Sequence, residues 1–193
     1  MGAELEVKYL AEESVFEELM KQSGHWVTYR METAYYDTPD ARLGALRWTL
    51  RRRFENGVSV CTLKTPLSGG GRNEYETECS DIHDAIPRLL ALGAPAELVT
   101  LTESGITEVC AARFTRLAGL VTLDGTEAEL ALDKGVLLGA GKEQPFVEVE
   151  VELKRGDFDA VKAYAEALAQ KYGMRPEPRS KYARALILAG KGK

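Results

Sequence analysis

Phe146-Val147-Glu148-Val149-Glu150-Val151-Glu152-Leu153 alternates apolar and ionised residues from Val147 to Leu153. Successive side chains of a β-strand point to opposite faces. Glu148, Glu150 and Glu152 therefore share one face, and Val147, Val149, Val151 and Leu153 share the other. The start of the chain has the same parity, with Glu4, Glu6 and Lys8 projecting together and Leu5, Val7 and Tyr9 projecting oppositely. Arg51 pairs in this way with Arg53, Thr62 with Lys64, Glu129 with Asp133, and Arg72 with Glu74, Glu76 and Glu78. Most strand candidates thus carry one apolar face and one ionised face.

Antiparallel sheets often present a charged face to water, so a single strand of this kind needs no ligand. The signs, however, are segregated. Acids gather on the 4–8 and 146–153 segments, whereas bases dominate around Arg51, Arg53 and Lys64. Like charges two residues apart in a strand stand about 7 Å from one another and repel. Repeated clusters of one sign are better explained by ligands that neutralise them. Carboxylates are hard oxygen donors suited to Mg²⁺ or Mn²⁺, and several Arg and Lys side chains in a concave site suit phosphate oxygens.

Around these segments the pattern predicts strands near residues 4–10, 33–38, 46–54, 58–64, 72–79, 106–117, 121–123, 128–134 and 146–153. Helices are expected near 14–22, 81–92 and 157–172, with a short C-terminal one from about Ser180. Asn56-Gly57 joins two strand candidates and is a strong hairpin signal. Ser68-Gly69-Gly70-Gly71 reads as a flexible connection. Many strands at close spacing with few helices predict an antiparallel sheet or barrel in an α+β protein, with residues 1–193 as one domain.

The formal net charge of −5 argues against a nucleic-acid partner, which would call for a basic footprint. Any phosphate site must be a local concentration of bases. No apolar run approaches about 18 residues, so no membrane partner is expected and the chain is assigned to the cytoplasm. Cys61, Cys79 and Cys110 have neither disulfide nor zinc-site spacing and read as small core residues. His25 and His83 fit no metalloprotease or triad pattern, and no P-loop motif occurs.

Glu4-Leu5-Glu6-Val7-Lys8 matches the E-x-E-x-K signature of the CYTH superfamily, the triphosphate tunnel metalloenzymes. The match continues in order through Tyr35-Tyr36-Asp37-Thr38, Leu50-Arg51-Arg52-Arg53, Thr62-Leu63-Lys64, Arg72-Asn73-Glu74-Tyr75-Glu76 and Phe114-Thr115-Arg116. Leu132-Asp133-Lys134-Gly135, the run from Glu148 to Gly156, and Ser180-Lys181 with Arg184 complete it. The order most resembles the bacterial inorganic triphosphatase branch.

This resemblance implies a closed eight-stranded antiparallel β-barrel, a tunnel with charged side chains inside and helices packed on the outside. It implies metal ligands at Glu4, Glu6, Glu150 and Glu152, with Glu148 and Asp133 as weaker ones. Triphosphate contacts would come from Lys8, Arg51, Arg53, Lys64, Arg72, Arg116 and Lys181, with Glu74, Glu76 and Glu129 orienting those bases. Catalysis would centre on Glu4, Glu6, Lys8, Arg51, Arg53 and Lys64. The implied activity is Mg²⁺- or Mn²⁺-dependent hydrolysis of inorganic triphosphate by a monomer or homodimer. The same charged tunnel would suit a class IV-type adenylyl cyclase, a thiamine triphosphatase or a non-catalytic polyphosphate-binding module.

Overall fold

The computed structural model describes residues 2–22, 25–68 and 71–192, without the side chains of residues 2–4 and Gln22. Gly69 and Gly70 of the expected flexible connection lie outside this range. One antiparallel sheet runs in the order β1-β6-β5-β4-β3-β7-β8-β9-β2-β10. Its strands are β1 (Gly2–Glu4), β2 (Glu6–Leu10), β3 (Val27–Asp37), β4 (Thr49–Glu55) and β5 (Val58–Pro66). They continue as β6 (Arg72–Glu78), β7 (Thr107–Leu123), β8 (Thr126–Gly139), β9 (Lys142–Arg155) and the two-residue β10 (Arg175–Pro176).

β1 and β2 stand near opposite ends of this order although only Leu5 separates them in the chain. The sheet therefore rolls round until the chain itself joins its two ends. The Leu5 carbonyl accepts from the Leu153 N–H at 2.9 Å, which ties the crossover to β9. The expected closed eight-stranded barrel must be corrected here. β1 pairs with β6, β2 pairs with β9, and among the described residues no ladder completes the ring. β10 takes the other edge of β2, placing Arg175 opposite Leu10 and Pro176 opposite Tyr9, so β6 does not extend along it. Splitting the first strand and adding β10 yields nine strands of three or more residues plus one two-residue segment.

The β4–β5, β7–β8 and β8–β9 hairpins turn on Asn56-Gly57, Asp124-Gly125 and Ala140-Gly141. Each turn pair has positive φ at both residues, which matches the right-handed twist of the strands it joins. The segments expected at 106–117 and 121–123 are one continuous strand, β7, while β8 runs through Gly135 to Gly139. Two short helices lay outside the sequence expectation, α2 (Arg42–Ala45) and α4 (Glu97–Thr102).

The outer face of the sheet is apolar. Val149, Val151, Leu130 and Leu132 pack beneath α1 (Glu13–Gln22) and α5 (Phe158–Tyr172), against Leu19, Val161 and Ala165. Leu50, Cys61, Leu63 and Tyr75 pack beneath α2, α4 and α3 (Ile82–Ala91), against Leu43, Ile82, Leu89 and Leu98. Burying each such side chain stabilises the fold by about 1.5–3 kcal/mol. Caps set the helix starts: Asp81 accepts from the His83 N–H, Asp157 from Asp159 and Ser180 from Ala183.

The last helix departs from the expected outside packing. α6 (Lys181–Leu188) buries Tyr182 and Ala185 against Tyr35, Ala112, Phe114, Leu137 and Phe146. In the register, Tyr35 faces Arg51, and Phe114 faces Gly135, which in turn faces Phe146. These residues share the parity of Arg51, Arg116 and Glu148, so α6 lies on the concave face and fills one end of the roll. Gly139 permits that docking, because a Cβ there would stand 2.7 Å from Ala189 N and 2.8 Å from Ala185 O. Gly139→Ala is expected to lower stability by roughly 1–3 kcal/mol in urea unfolding, since helix backbone must shift to admit the methyl group.

Candidate active site

Strand register brings the ionised faces together around one cavity of about 1270 Å³. On one side, Arg51 faces Thr62, Lys64 faces Glu74, and Thr62 faces Glu76 across β4, β5 and β6. On the other side the cross-strand rows are Glu129–Glu152–Glu6 and Ala131–Glu150–Lys8. Glu6, Lys8, Arg51, Arg53, Lys64 and Arg72 all line the cavity. So do Glu74, Glu76, Arg116, Glu129, Glu150, Glu152 and Lys181. Asp133 and Glu148 are fully buried and do not line it. The backbone of Glu4 pairs with Arg72, but its side chain lies outside the described residues.

The basic wall is only partly neutralised. Glu74 pairs with both Arg51 and Lys64, at 3.2 and 3.4 Å, and Glu76 accepts from the Thr62 hydroxyl at 3.1 Å. Arg72 donates to Thr49 Oγ1 and to the Arg47 carbonyl, at 3.0 and 3.3 Å. Arg53 reaches Glu55 at 2.9 Å. The Nε groups of Arg51 and Arg53 are buried without a hydrogen-bond partner. Burial, followed by the like charges of Arg51 and Arg116, pushes the Arg53 pKa below its ordinary value. Arg52, of opposite parity, is exposed and donates to the Ser80 carbonyl at 3.0 Å.

The acidic wall contains a different arrangement. One ligand oxygen each from Asp133, Glu148 and Glu150 lies within 4.8 Å of the others, the spacing of a metal-ligand set. Lys181 Nζ, however, stands 2.7 Å from Asp133, 2.6 Å from Glu148 and 2.7 Å from Glu150. Arg116 binds Asp133 through Nε and NH2, both at 2.7 Å, and also meets Glu150, while Arg184 meets Glu148. Two buried cations, Lys181 and Arg184, and the half-buried Arg116 balance three buried carboxylates. Lys181 donates a hydrogen bond to Glu150 and pairs with the other two carboxylates by charge, although Glu148 Oε2 and Arg184 Nε remain buried without hydrogen-bond partners. The protein's own lysine thus fills the position a metal would take among these three.

Burial alone would raise the Glu150 pKa, but Lys181, Arg116 and Lys8 outweigh it and hold that carboxyl well below the ordinary range. Burial would likewise lower Lys181, and Asp133, Glu150 and Glu148 reverse this to keep it protonated. On this wall the carboxylates that also reach the cavity are those of Glu6, Glu129, Glu150 and Glu152. Glu6 lies 3.6 Å from Lys8, and Lys154 lies 3.0 Å from Glu152 and 3.7 Å from Glu129.

With this geometry in view, the comparison with known proteins is direct: the CYTH domain model matches residues 2–186. The chain belongs to the CYTH domain family. An inorganic triphosphatase from Haemophilus influenzae is 28% identical over 159 residues, which cover 81% of this chain and 45% of the relative. The chain therefore spans less than half the length of that protein. A solved protein from Pyrococcus horikoshii aligns at TM-score 0.65 and 23% identity, covering 97% of this chain and 99% of the other. A putative adenylyl cyclase from Hippeastrum, described as having a dominant triphosphatase activity, aligns at TM-score 0.66 and 21% identity, covering 99% and 97%. These two likenesses show a shared fold.

The sequence reading of this CYTH chain missed several parts of the cavity wall. Thr49, Glu55 and Lys154 line it and follow the parity of Arg51, Arg53 and Glu152, so the same count by twos extended one step would have found them. Arg179 and Arg47 also line it, but both lie in irregular segments where parity says nothing. His25 and His83 are exposed, and the three cysteines are buried and free. Burial pushes the Cys61 and Cys110 thiols up to about 12, in keeping with unreactive core positions.

Lys181→Met should lower stability at neutral pH by about 3–5 kcal/mol, because it strands buried carboxylate charge. The sign of the pH dependence follows from the shifts. Stability from the depressed Glu150 pKa is present above the ordinary carboxylate value of about 4.3 and is lost as pH falls through the folded value. Stability from the raised Lys181 pKa is present below about 10.4 and is lost as pH rises through the folded value. In urea unfolding, wild type should weaken below pH 4–5. The deficit of the Lys181→Met variant should instead shrink from pH 7 to pH 5, as protonation relieves its excess negative charge.

Proposed function

We propose that this chain is a divalent-metal-dependent triphosphatase that hydrolyses inorganic triphosphate to pyrophosphate and phosphate. One observation carries the reading: Arg51 and Arg53 stand in a cavity wall with their Nε donors buried and unpaired, and Arg116 adds like charge beside them. An unsatisfied buried donor is unfavourable by about 1–3 kcal/mol, and phosphate oxygens meeting the cavity-lining ends of these guanidinium groups would offset that cost and relieve the repulsion. The triphosphatase among the relatives supports this choice of anion.

In this reading Arg51, Arg53, Lys64 and Arg116 hold phosphoryl oxygens, with Lys8 and Arg72 extending the contact, and Glu74 and Glu76 fix the orientation of the basic wall. Glu129 orients Lys154 on the opposite side. Glu6, Glu150 and Glu152, joined by Glu4, would hold Mg²⁺ or Mn²⁺. Their carboxylate oxygens suit such cations, and all but Glu4 are known to line the cavity. When bound, the cation supplies Lewis-acid neutralisation of phosphate oxygens. Phosphoryl transfer depends mainly on positioning and electrostatic stabilisation, which fixed guanidinium groups provide to a phosphoryl group attacked in line by water. Lys181 and Glu148 contribute by holding Glu150 in place.

A phosphate-release panel over tripolyphosphate, ATP and thiamine triphosphate tests the reading, with turnover of tripolyphosphate expected and its loss in EDTA. Cyclic AMP formed from ATP would instead identify a cyclase. Isothermal titration with tripolyphosphate separates geometry from bulk charge. Arg53→Ala should weaken binding about tenfold or more, as expected for a charge-assisted hydrogen bond, and Arg52→Ala should change it less than about twofold. Equal losses in the two variants would mean that the arginines act only as diffuse charge.

A further inference from the structure

Arg179 stands apart from the inner ring of bases. It follows β10, and the Glu177 N–H donates to the Lys8 carbonyl at 3.0 Å. The 175–179 segment therefore starts along the stretch of β2 that β6 does not pair, where the rolled sheet has its seam. The Glu177 side chain is only 3% exposed. It accepts from the Arg179 backbone N–H at 3.0 Å, from Nε at 2.8 Å and from NH2 at 2.7 Å. Those contacts clamp one edge of a planar guanidinium and fix its plane.

The other edge is differently placed. Among the described residues Arg179 NH1 has no hydrogen-bond partner, the side chain is 56% exposed, and the residue forms cavity wall with Pro178 and Ser180. A neutral Glu–Arg pair adds little to long-range attraction. What it offers is direction, because N–H groups held in one plane match the oxygens of a phosphoryl group. Strand parity could not reveal this position, since the segment is irregular. A hydrogen bond donated by an unclamped arginine would be weaker, because each new contact would first have to order the side chain.

We infer that Arg179, positioned by Glu177, is a further phosphate-binding residue that grips the phosphoryl group nearest the seam and so sets affinity for the substrate. This rests on the triphosphatase reading above. The test measures phosphate release from tripolyphosphate, and calorimetric binding of tripolyphosphate, for wild type, Arg179→Gln, Arg179→Lys and Glu177→Gln. Thermal unfolding of each variant checks that the fold is kept. Arg179→Gln should raise KM and Kd about tenfold with kcat within about twofold, and Arg179→Lys should recover part of the loss. Glu177→Gln should also raise KM several-fold, although it makes the site more positive, because the guanidinium loses its clamp. Unchanged KM and Kd in Arg179→Gln would overturn the assignment. A lowered KM in Glu177→Gln would overturn the positioning, since diffuse charge alone would then account for Arg179. If wild type binds tripolyphosphate without releasing phosphate, the hydrolytic reading fails and the Kd series decides Arg179 by the same criteria.

Discussion

Around the Lys181 ammonium group, Asp133, Glu148 and Glu150 bind the last helix to the concave face of the sheet, and the site is organised from that contact. The carboxylates come from two neighbouring strands, with Asp133 opposite Glu148 in the register. Burying them without cations would be prohibitive. Lys181 and Arg184 bring two of the balancing charges from α6, and Arg116 brings the third from β7. Helix docking and strand pairing are thus mutually dependent, because neither can let go without leaving charge unpaired in the interior. The aromatic rings on which Lys181 sits, Phe114 and Phe146, belong to the same concave face and exclude water from the contact.

The two walls of the cavity end in different electrostatic states. On the acidic wall most carboxylates already have a cation close by, and the deepest are matched one for one. On the basic wall the acids are fewer than the bases, and Arg51 shares Glu74 with Lys64. Two guanidinium groups keep buried donors unpaired there. A chain with a net charge of −5 can therefore present a locally positive lining. The rolled sheet confines that field to its interior, where low-dielectric walls focus it on a ligand.

Strand parity made most of this legible in the sequence. Counting by twos from Glu150 and from Arg51 leads to residues that line the cavity on its two sides, and it set Arg52 outside. It misjudged what happens beyond the charged residues. Tyr35, Phe114 and Phe146 have the same parity as the ionised groups, so the concave face turns apolar at one end, and α6 enters there in place of packing outside. Phe146 and Leu137 are not opposite one another in the register, and only their packing with α6 in one buried cluster shows that they belong together. Closure was also beyond the alternation, because nothing in Glu4-Leu5-Glu6 announces that hydrogen bonding changes partner at Leu5. Arg179 and Glu177 lie where no period applies at all.

Equal spacing also concealed unequal chemistry among Glu148, Glu150 and Glu152. All three project from one face of β9, yet their depth along the strand separates them. Glu148 is fully buried, and two cations from α6 already hold it. Glu152 reaches the cavity beside Glu6 and Glu129, where Lys154, a side chain 36% exposed, stands 3.0 Å from it. Glu150 lies between, binding Lys181 and Arg116 while still forming part of the cavity wall. A divalent cation approaching Glu148 would have to displace an ammonium and a guanidinium from a water-excluding pocket. Under the proposed triphosphatase reading, a cation at the outer end of the strand would meet carboxylates that line the cavity without entering that pocket.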